Sequence, residues 1–170
     1  MAAPSNTTTP DLESAVLATL VAGVVGENAH LDSSTVLDGL DWRLAGKDLA
    51  GSPYTILQCA NHIIYWNGYA MAAMAGQSPT RPEHAVDGWP GPKAPASDEE
   101  WQAFIKAYKA SLAALIETAK QKRFTELIIT RIRLDSIRSM IQHISYHVGQ
   151  IALLRRMLGS WPPPTGGDTW

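Results

Sequence analysis

Residues 142–159 read QHISYHVGQIALLRRMLG, and the fold that we predict rests mainly on this stretch. His143 and His147 are four residues apart, so a helix places both imidazoles on one face, about 6 Å apart along its axis. Apolar residues recur around them at steps of three and four, which predicts a long helix from Leu134 to Leu158. Gly159 and the prolines that follow it predict the end of this helix.

Two further long helices are predicted in the first half of the chain. The first is expected to begin at Asp11 as its N-cap, because valines and leucines follow at helical spacing. The second is expected to begin with Ser52 as its cap and Pro53 in its first turn, and to end at Gly76.

The stretch from Gln77 to Pro95 interrupts the helical pattern most strongly. Its five prolines and two glycines predict an irregular crossover of about 20 residues, which is long for a connection inside one domain. A crossover of this length suits a segment that spans a bundle or lines a site. Ser97 and Glu100 then form a capping-box pattern that begins another long helix.

Shorter segments show weaker patterns. Asp32 and the two serines after it offer a cap for a short helix through Leu37, and residues 41–52 are expected to form a loop. Residues 124–133 are rich in β-branched side chains, which favours a strand-like or irregular lead-in to the last helix. Four long helices predict an all-α fold, most simply a four-helix bundle with the Pro-rich crossover between helices 2 and 3; an orthogonal array and half of an obligate dimer are the alternatives.

The composition is that of one globular domain in a chain of 170 residues. We assign residues 11–160 to this domain, residues 1–10 to a disordered N-terminal arm and residues 161–170 to a Pro/Gly-rich tail. A net charge of −2 argues against nucleic acid as a partner, and no apolar run approaches the length of a membrane span. The single cysteine excludes an internal disulfide and favours a cytoplasmic location.

His62 is the third histidine that bears on function. It lies in the middle of the second predicted helix, in the segment NHIIYWN. Helical bundles build metal sites from inward-facing side chains on different helices, so His62 can complete a set with His143 and His147. The alternative is that all three histidines are inert core residues with ordinary hydrogen bonds, because an HxxxH pair alone is weak evidence for metal.

The segments SPYTILQCANHIIYW and QHISYHVGQIALLRRMLG resemble two helices of the DinB-like (DinB/YfiT) metalloenzyme superfamily. The resemblance extends to GENAHL, to the Pro-rich crossover and to LGSWPPP. It implies a helical bundle of DinB/YfiT type in which His62, His143 and His147 ligate one divalent transition metal. Three imidazoles leave an open coordination position and suit zinc, nickel, iron or copper, so the ligand set alone does not choose the metal. Zinc or nickel is expected first and iron next.

Four other residues are candidates for the pocket or for support of the ligands. Gln150 lies one turn after His147, where it can orient that ligand, bind a substrate or simply pack against another helix. His30 is expected either to line the pocket or to lie at the surface. Tyr65 and Trp66 are interpreted as core or pocket wall.

Three further features are given structural interpretations. Cys59 is expected to be buried packing, since thiol ligation is not part of the family pattern. His84 is interpreted as a solvated residue of the crossover. Arg155 and Arg156 are interpreted as a solvated face, where positive charge suits the end of a helix.

The resemblance implies an enzyme that uses the metal to activate a low-molecular-weight thiol or water. The corresponding reactions are thiol-dependent S-transfer and hydrolysis of an unidentified small molecule. No Asp or Glu lies within a turn of His143 or His147 on their face, so no catalytic residue is assigned. The alternatives are a non-catalytic protein that binds metal or a small molecule, and an inert bundle that associates with a partner.

A homodimer is also expected, because related proteins pair through their long helices. The last helix carries apolar residues over a band that is wider than one core-facing stripe needs. These residues are Ile137, Ile141, Ile144, Val148, Ile151, Leu154 and Leu158.

Overall fold

The computed structural model describes residues 12–27, 29–120 and 127–167, and every regular element in these ranges is a helix. The prediction of an all-α fold is therefore confirmed for these residues. None of their helices is long and apolar enough to cross a membrane. The α-helices are α1 (Leu12–Val25), α2 (Trp42–Ala45), α3 (Ile56–Met74), α4 (Asp98–Lys120) and α5 (Leu127–Met157), and a short 3-10 helix spans Ala85–Gly88.

Helices α3 and α5 form the centre of the fold, and they pack against each other more extensively than any other pair. Helix α4 packs against α3, while α1 packs against both α4 and α5. Trp101 and Tyr108 of α4 are fully buried, and each donates a hydrogen bond to a backbone carbonyl, of Leu40 at 2.8 Å and of Ser33 at 3.0 Å. These bonds tie the turn-rich segment before α2 to the core.

The start of α3 differs from the expectation. Thr55, and not Ser52, is the N-cap, and Pro53 precedes the helix. The Thr55 hydroxyl accepts from the Gln58 N–H, and the Gln58 side chain accepts from the Thr55 N–H, so two backbone donors are satisfied together. The Thr55 hydroxyl also donates to the Lys93 carbonyl at 2.6 Å, which fixes the crossover against the start of α3.

Two short segments also differ from the sequence-based expectations. The short helix expected through Leu37 is a series of turns, in which the Asp32 side chain accepts from the Ser34 N–H at 2.7 Å. Conversely, the loop expected over residues 41–52 contains α2, whose first turn is capped by the Asp41 side chain. In both places one aspartate side chain satisfies a local backbone donor, and tertiary packing decides whether a helix continues.

Helix α5 begins at Leu127, so the strand-like or irregular segment expected within residues 124–133 is wrong from Leu127 onward. β-Branched residues have a low helix propensity, but packing of a long helix against its neighbours outweighs this preference. Residues 124–126, the expected Asp11 cap and the expected arm over residues 1–10 lie outside the described residues.

The wide apolar band of α5 is covered within the chain. Five of its residues are buried, namely Ile137, Ile144, Val148, Ile151 and Leu154. Ile141 and Leu158 are partly buried and pack against the same core. The band therefore reflects the central position of α5 and does not support a partner, so the homodimer stays a prediction.

Arg155 is the clearest error of interpretation at the end of α5. Its side chain is 1% exposed and does not lie on a solvated face. The guanidinium donates to the carbonyls of Val36 at 2.6 Å, Asp38 at 3.0 Å and Ser160 at 2.8 Å. Carbonyls from two turns converge at this point, and a buried carbonyl needs a donor. Arg156, in contrast, is exposed.

Candidate metal centre

The contact between α3 and α5 brings His62, His143 and His147 together. The centroids of the imidazole rings are 4.9 Å apart for His62 and His143, 4.7 Å for His62 and His147, and 4.5 Å for His143 and His147. One nitrogen from each ring can be chosen so that all three lie within 4.8 Å of one another. The three side chains therefore form a compact cluster of nitrogen donors, which we call the histidine cluster.

Burial keeps these imidazoles neutral. Burial, together with the neighbouring His147 and His62, lowers the pKa of His143 to about 3. Burial also lowers the pKa of His147 to about 4, although the hydrogen bond that His147 donates to Gln150 acts in the opposite direction. The pKa of His62 is lowered by burial as well, against a bond to Gly88 that raises it. Neutral imidazole is the form that offers a lone pair to a metal.

The backbone of the crossover orients His62. Its Nδ1 donates to the carbonyl oxygen of Gly88, at the end of the 3-10 helix. Since a carbonyl only accepts, the proton of the neutral ring lies on Nδ1, and the lone pair of Nε2 is free. A hydrogen bond from the nitrogen that does not face the metal fixes the orientation of the ring, as is usual for histidines that bind metal.

Gln150 has the same role towards His147. The Nδ1 of His147 donates a hydrogen bond to the Gln150 Oε1 at 2.6 Å. The Gln150 Nε2 in turn donates to the Tyr146 hydroxyl at 3.1 Å, which sets the orientation of the amide. Of the roles that the sequence left open for Gln150, this contact supports the orientation of a ligand.

His143 is the third member of the histidine cluster, and one of its nitrogens lacks a hydrogen bond within the described part of the chain. Its Nδ1 is buried and has no hydrogen-bond partner among the described residues. Burial of a polar group without a partner costs about 1–3 kcal/mol, so such atoms are rare in native proteins. Three neutral imidazoles, two of them oriented through their second nitrogen, suit a divalent ion such as zinc, nickel or iron. The residues present thus fit the group that the resemblance implies.

An aromatic stack that sequence analysis missed supports one face of His62. The Trp89 indole stacks parallel to the His62 imidazole, with 3.8 Å between the ring centroids. The Tyr54 ring in turn stacks parallel to Trp89, with 3.5 Å between the centroids. A Cβ at Gly88 would lie 3.3 Å from the Trp66 indole nitrogen, so the crossover approaches α3 closely there. The signal available in the sequence was a tryptophan between Gly88 and a proline, inside a segment too long for a simple connection.

A cavity of about 510 Å³ opens over the histidine cluster. The crossover supplies one wall and α3 and α5 the other. The lining residues are His62, Trp66, Arg81, Pro82, Glu83, His84, Ala85, Trp89 and His143. His84 is exposed, as expected for a crossover residue, yet it faces this cavity.

The remaining candidates lie farther from the cluster. Trp66 lines the cavity, whereas Tyr65 packs edge-on against Trp66 at 5.4 Å and is not part of the lining. His30 donates from Nδ1 to the Leu31 carbonyl, and its Nε2 lies 3.0 Å from the Ser145 hydroxyl. It lines a separate cavity of about 690 Å³ beside α1. Cys59 is buried, as expected, and burial raises the pKa of its thiol to about 12.

Fold and site together define a helical protein with a three-histidine cluster between its two central helices. The family model of the DinB superfamily matches residues 28–151, a range that contains all three histidines. The chain belongs to the DinB superfamily. Neither the curated proteins nor the solved structures contain a match to this chain.

The low pKa values predict that the metal-free protein loses stability in mild acid. An imidazole in the unfolded chain has a pKa near 6.5, whereas those of His143 and His147 in the folded chain are about 3 and about 4. Protons therefore bind the unfolded state first, and the free energy of unfolding falls as the pH drops from 6.5 towards 4. Between pH 7 and pH 5 we expect a loss on the order of 2 kcal/mol for each of these two histidines.

Urea unfolding of the metal-free protein at pH 7 and pH 5 measures this effect. A His143→Leu variant should lose less stability over the same interval, while His84→Asn, at an exposed position, should behave like the wild type. Equal urea midpoints for the wild type at both pH values would contradict the prediction.

Proposed function

We propose that this chain is a metal-dependent enzyme in which His62, His143 and His147 hold one divalent transition-metal ion. The observation that carries the proposal is the convergence of three neutral imidazoles, with His62 and His147 oriented by Gly88 and Gln150. An inert core histidine is expected to have hydrogen bonds for its buried nitrogens. The buried Nδ1 of His143 has no hydrogen-bond partner among the described residues, which favours a metal site over inert packing.

The chemistry follows from the donor set. When bound, a divalent ion held by three neutral ligands acts as a Lewis acid that polarises a carbonyl or favours the ionised form of a thiol or water. The chain itself orients the ligands through the crossover backbone and Gln150. Trp66 and Trp89 give the cavity apolar walls beside the histidine cluster.

The reaction that we propose is thiol-dependent S-transfer or hydrolysis, with a low-molecular-weight thiol as co-substrate in the first case. A cavity of about 510 Å³ is of the size that proteins use for small molecules. Outside the histidine cluster, Glu83 and His84 are the side chains of its lining that can accept a proton.

Elemental analysis of protein purified without an affinity tag tests the proposal. We expect one transition-metal ion for each chain, and turnover of thiol-transfer or ester substrates that depends on the ion. A His62→Ala/His147→Ala double variant serves as the control and should contain no stoichiometric metal. Metal-free wild-type protein that takes up neither zinc nor nickel would contradict the proposal, whereas bound metal without turnover would identify a binding protein instead.

A further inference from the structure

The crossover wall of the cavity carries an arginine that has no partner among the described residues. Arg81 is exposed, lines the cavity over the histidine cluster, and makes no hydrogen bond, ion pair or ring contact with any described residue. The other arginines of the described ranges contact a carboxylate, a backbone carbonyl or an aromatic ring. They are Arg43, Arg131, Arg133, Arg138, Arg155 and Arg156.

The chemistry of the guanidinium group points to the ligand that Arg81 would take. Its planar, fixed donors match the two oxygens of a carboxylate, and such pairs are stronger than neutral hydrogen bonds. Glu83 lines the same wall and has no ion pair with Arg81 or with another described cation. The two side chains therefore present opposite charges to the cavity without neutralising each other by contact.

The balance of charge in the cavity favours an anion. The charges of Arg81 and Glu83 cancel in sum, and the three imidazoles are neutral. A divalent ion on the histidine cluster, which is the premise of the proposed function, would leave the whole cavity positive. In a partly enclosed site such a potential attracts anions and repels amines.

The other lining residues indicate the chemical character of the rest of the ligand. Trp66, Pro82 and Ala85 offer apolar surface beside Arg81. Trp89 already stacks with two rings, those of Tyr54 and His62, so Trp66 is the better placed indole for contact with a ligand. We infer that this cavity binds a small organic carboxylate, whose carboxylate pairs with Arg81 and whose apolar part lies against Trp66.

A series of probes that differ mainly in charge tests the inference. Benzoate, benzyl alcohol and benzylamine are titrated into ¹⁵N-labelled protein, and the indole N–H resonance of Trp66 reports binding in the cavity. In zinc-loaded protein we expect benzoate to bind about tenfold more tightly than benzyl alcohol, and benzylamine to bind most weakly. Arg81→Gln should lower the affinity for benzoate about fivefold and leave the affinity for benzyl alcohol unchanged. Glu83→Gln should raise the affinity for benzoate about twofold.

Arg43→Gln is the matched control, since Arg43 is exposed and lies outside the cavity lining. Equal affinity of Arg81→Gln and wild type for benzoate would overturn the inference, as would tighter binding of benzylamine or no binding of benzoate at all. The titrations are repeated on metal-free protein, where loss of Arg81 should still weaken benzoate. If zinc does not bind but Arg81→Gln still weakens the binding of benzoate, the proposed function fails and the carboxylate site stands. If zinc binds but Arg81→Gln does not change the affinity for benzoate, the proposed function stands and the carboxylate site fails.

Discussion

His147→Ala is expected to lower the affinity for zinc on the order of a thousandfold, because it removes one of three ligands and leaves two. The substitution also deprives the Gln150 amide of the contact that fixes it against the cluster. His62→Ala should have an effect of the same order, since His62 is the one proposed ligand that comes from α3. Competition with a chromophoric chelator at pH 7.5 measures both affinities.

Two further variants show whether the loss belongs to the cluster. Gln150→Ala retains all three imidazoles but not the orientation of His147, and we expect a decrease of about 10- to 100-fold. His84→Ala alters a histidine of the same cavity that is not part of the cluster, and its zinc affinity should equal that of the wild type. Circular dichroism should show unchanged helix content, and full zinc occupancy in His147→Ala would exclude the three-histidine site.

The second large effect is expected for Arg155→Ala, which should lower the free energy of unfolding by at least about 3 kcal/mol. The substitution leaves the buried carbonyl of Val36 and the partly buried carbonyls of Asp38 and Ser160 without this donor, and it opens a cavity at the end of α5. In a chain of this size the loss corresponds to a decrease of about 6–12 °C in Tm. Urea and thermal unfolding at pH 7.5 measure it.

The neighbouring arginine provides the control for this prediction. Arg156 is exposed and lies over the Trp161 ring at 4.4 Å, so Arg156→Ala should cost less than about 1 kcal/mol. Arg155→Lys keeps the charge, but its single ammonium cannot reproduce the forked donors of the guanidinium. Its free energy of unfolding should therefore lie between those of the two alanine variants. An Arg155→Ala variant as stable as Arg156→Ala would show that the buried guanidinium contributes little.

The sequence was informative where structure depends on neighbours along the chain. Helical periodicity predicted the all-α fold, and the capping signal before α4 is present, with the Ser97 hydroxyl accepting from the Glu100 N–H at 3.2 Å. The relation of His143 to His147 follows from helix geometry alone, because a spacing of four residues fixes their separation. These inferences need no knowledge of what else the helix contacts.

Features that depend on contacts between distant segments became visible only in the folded chain. Whether His62 meets His143 depends on the register of α3 against α5, and the orientation of His62 depends on a carbonyl of the crossover. Trp89 and Arg81 lie on a segment without periodicity; its length suggested that it could line a site, but no local pattern showed which of its residues face the cavity. Periodicity and spacing alone determined the helices and the candidate donors; their convergence required long-range packing, because burial and the pairing of polar groups are properties of the folded chain and not of any short stretch.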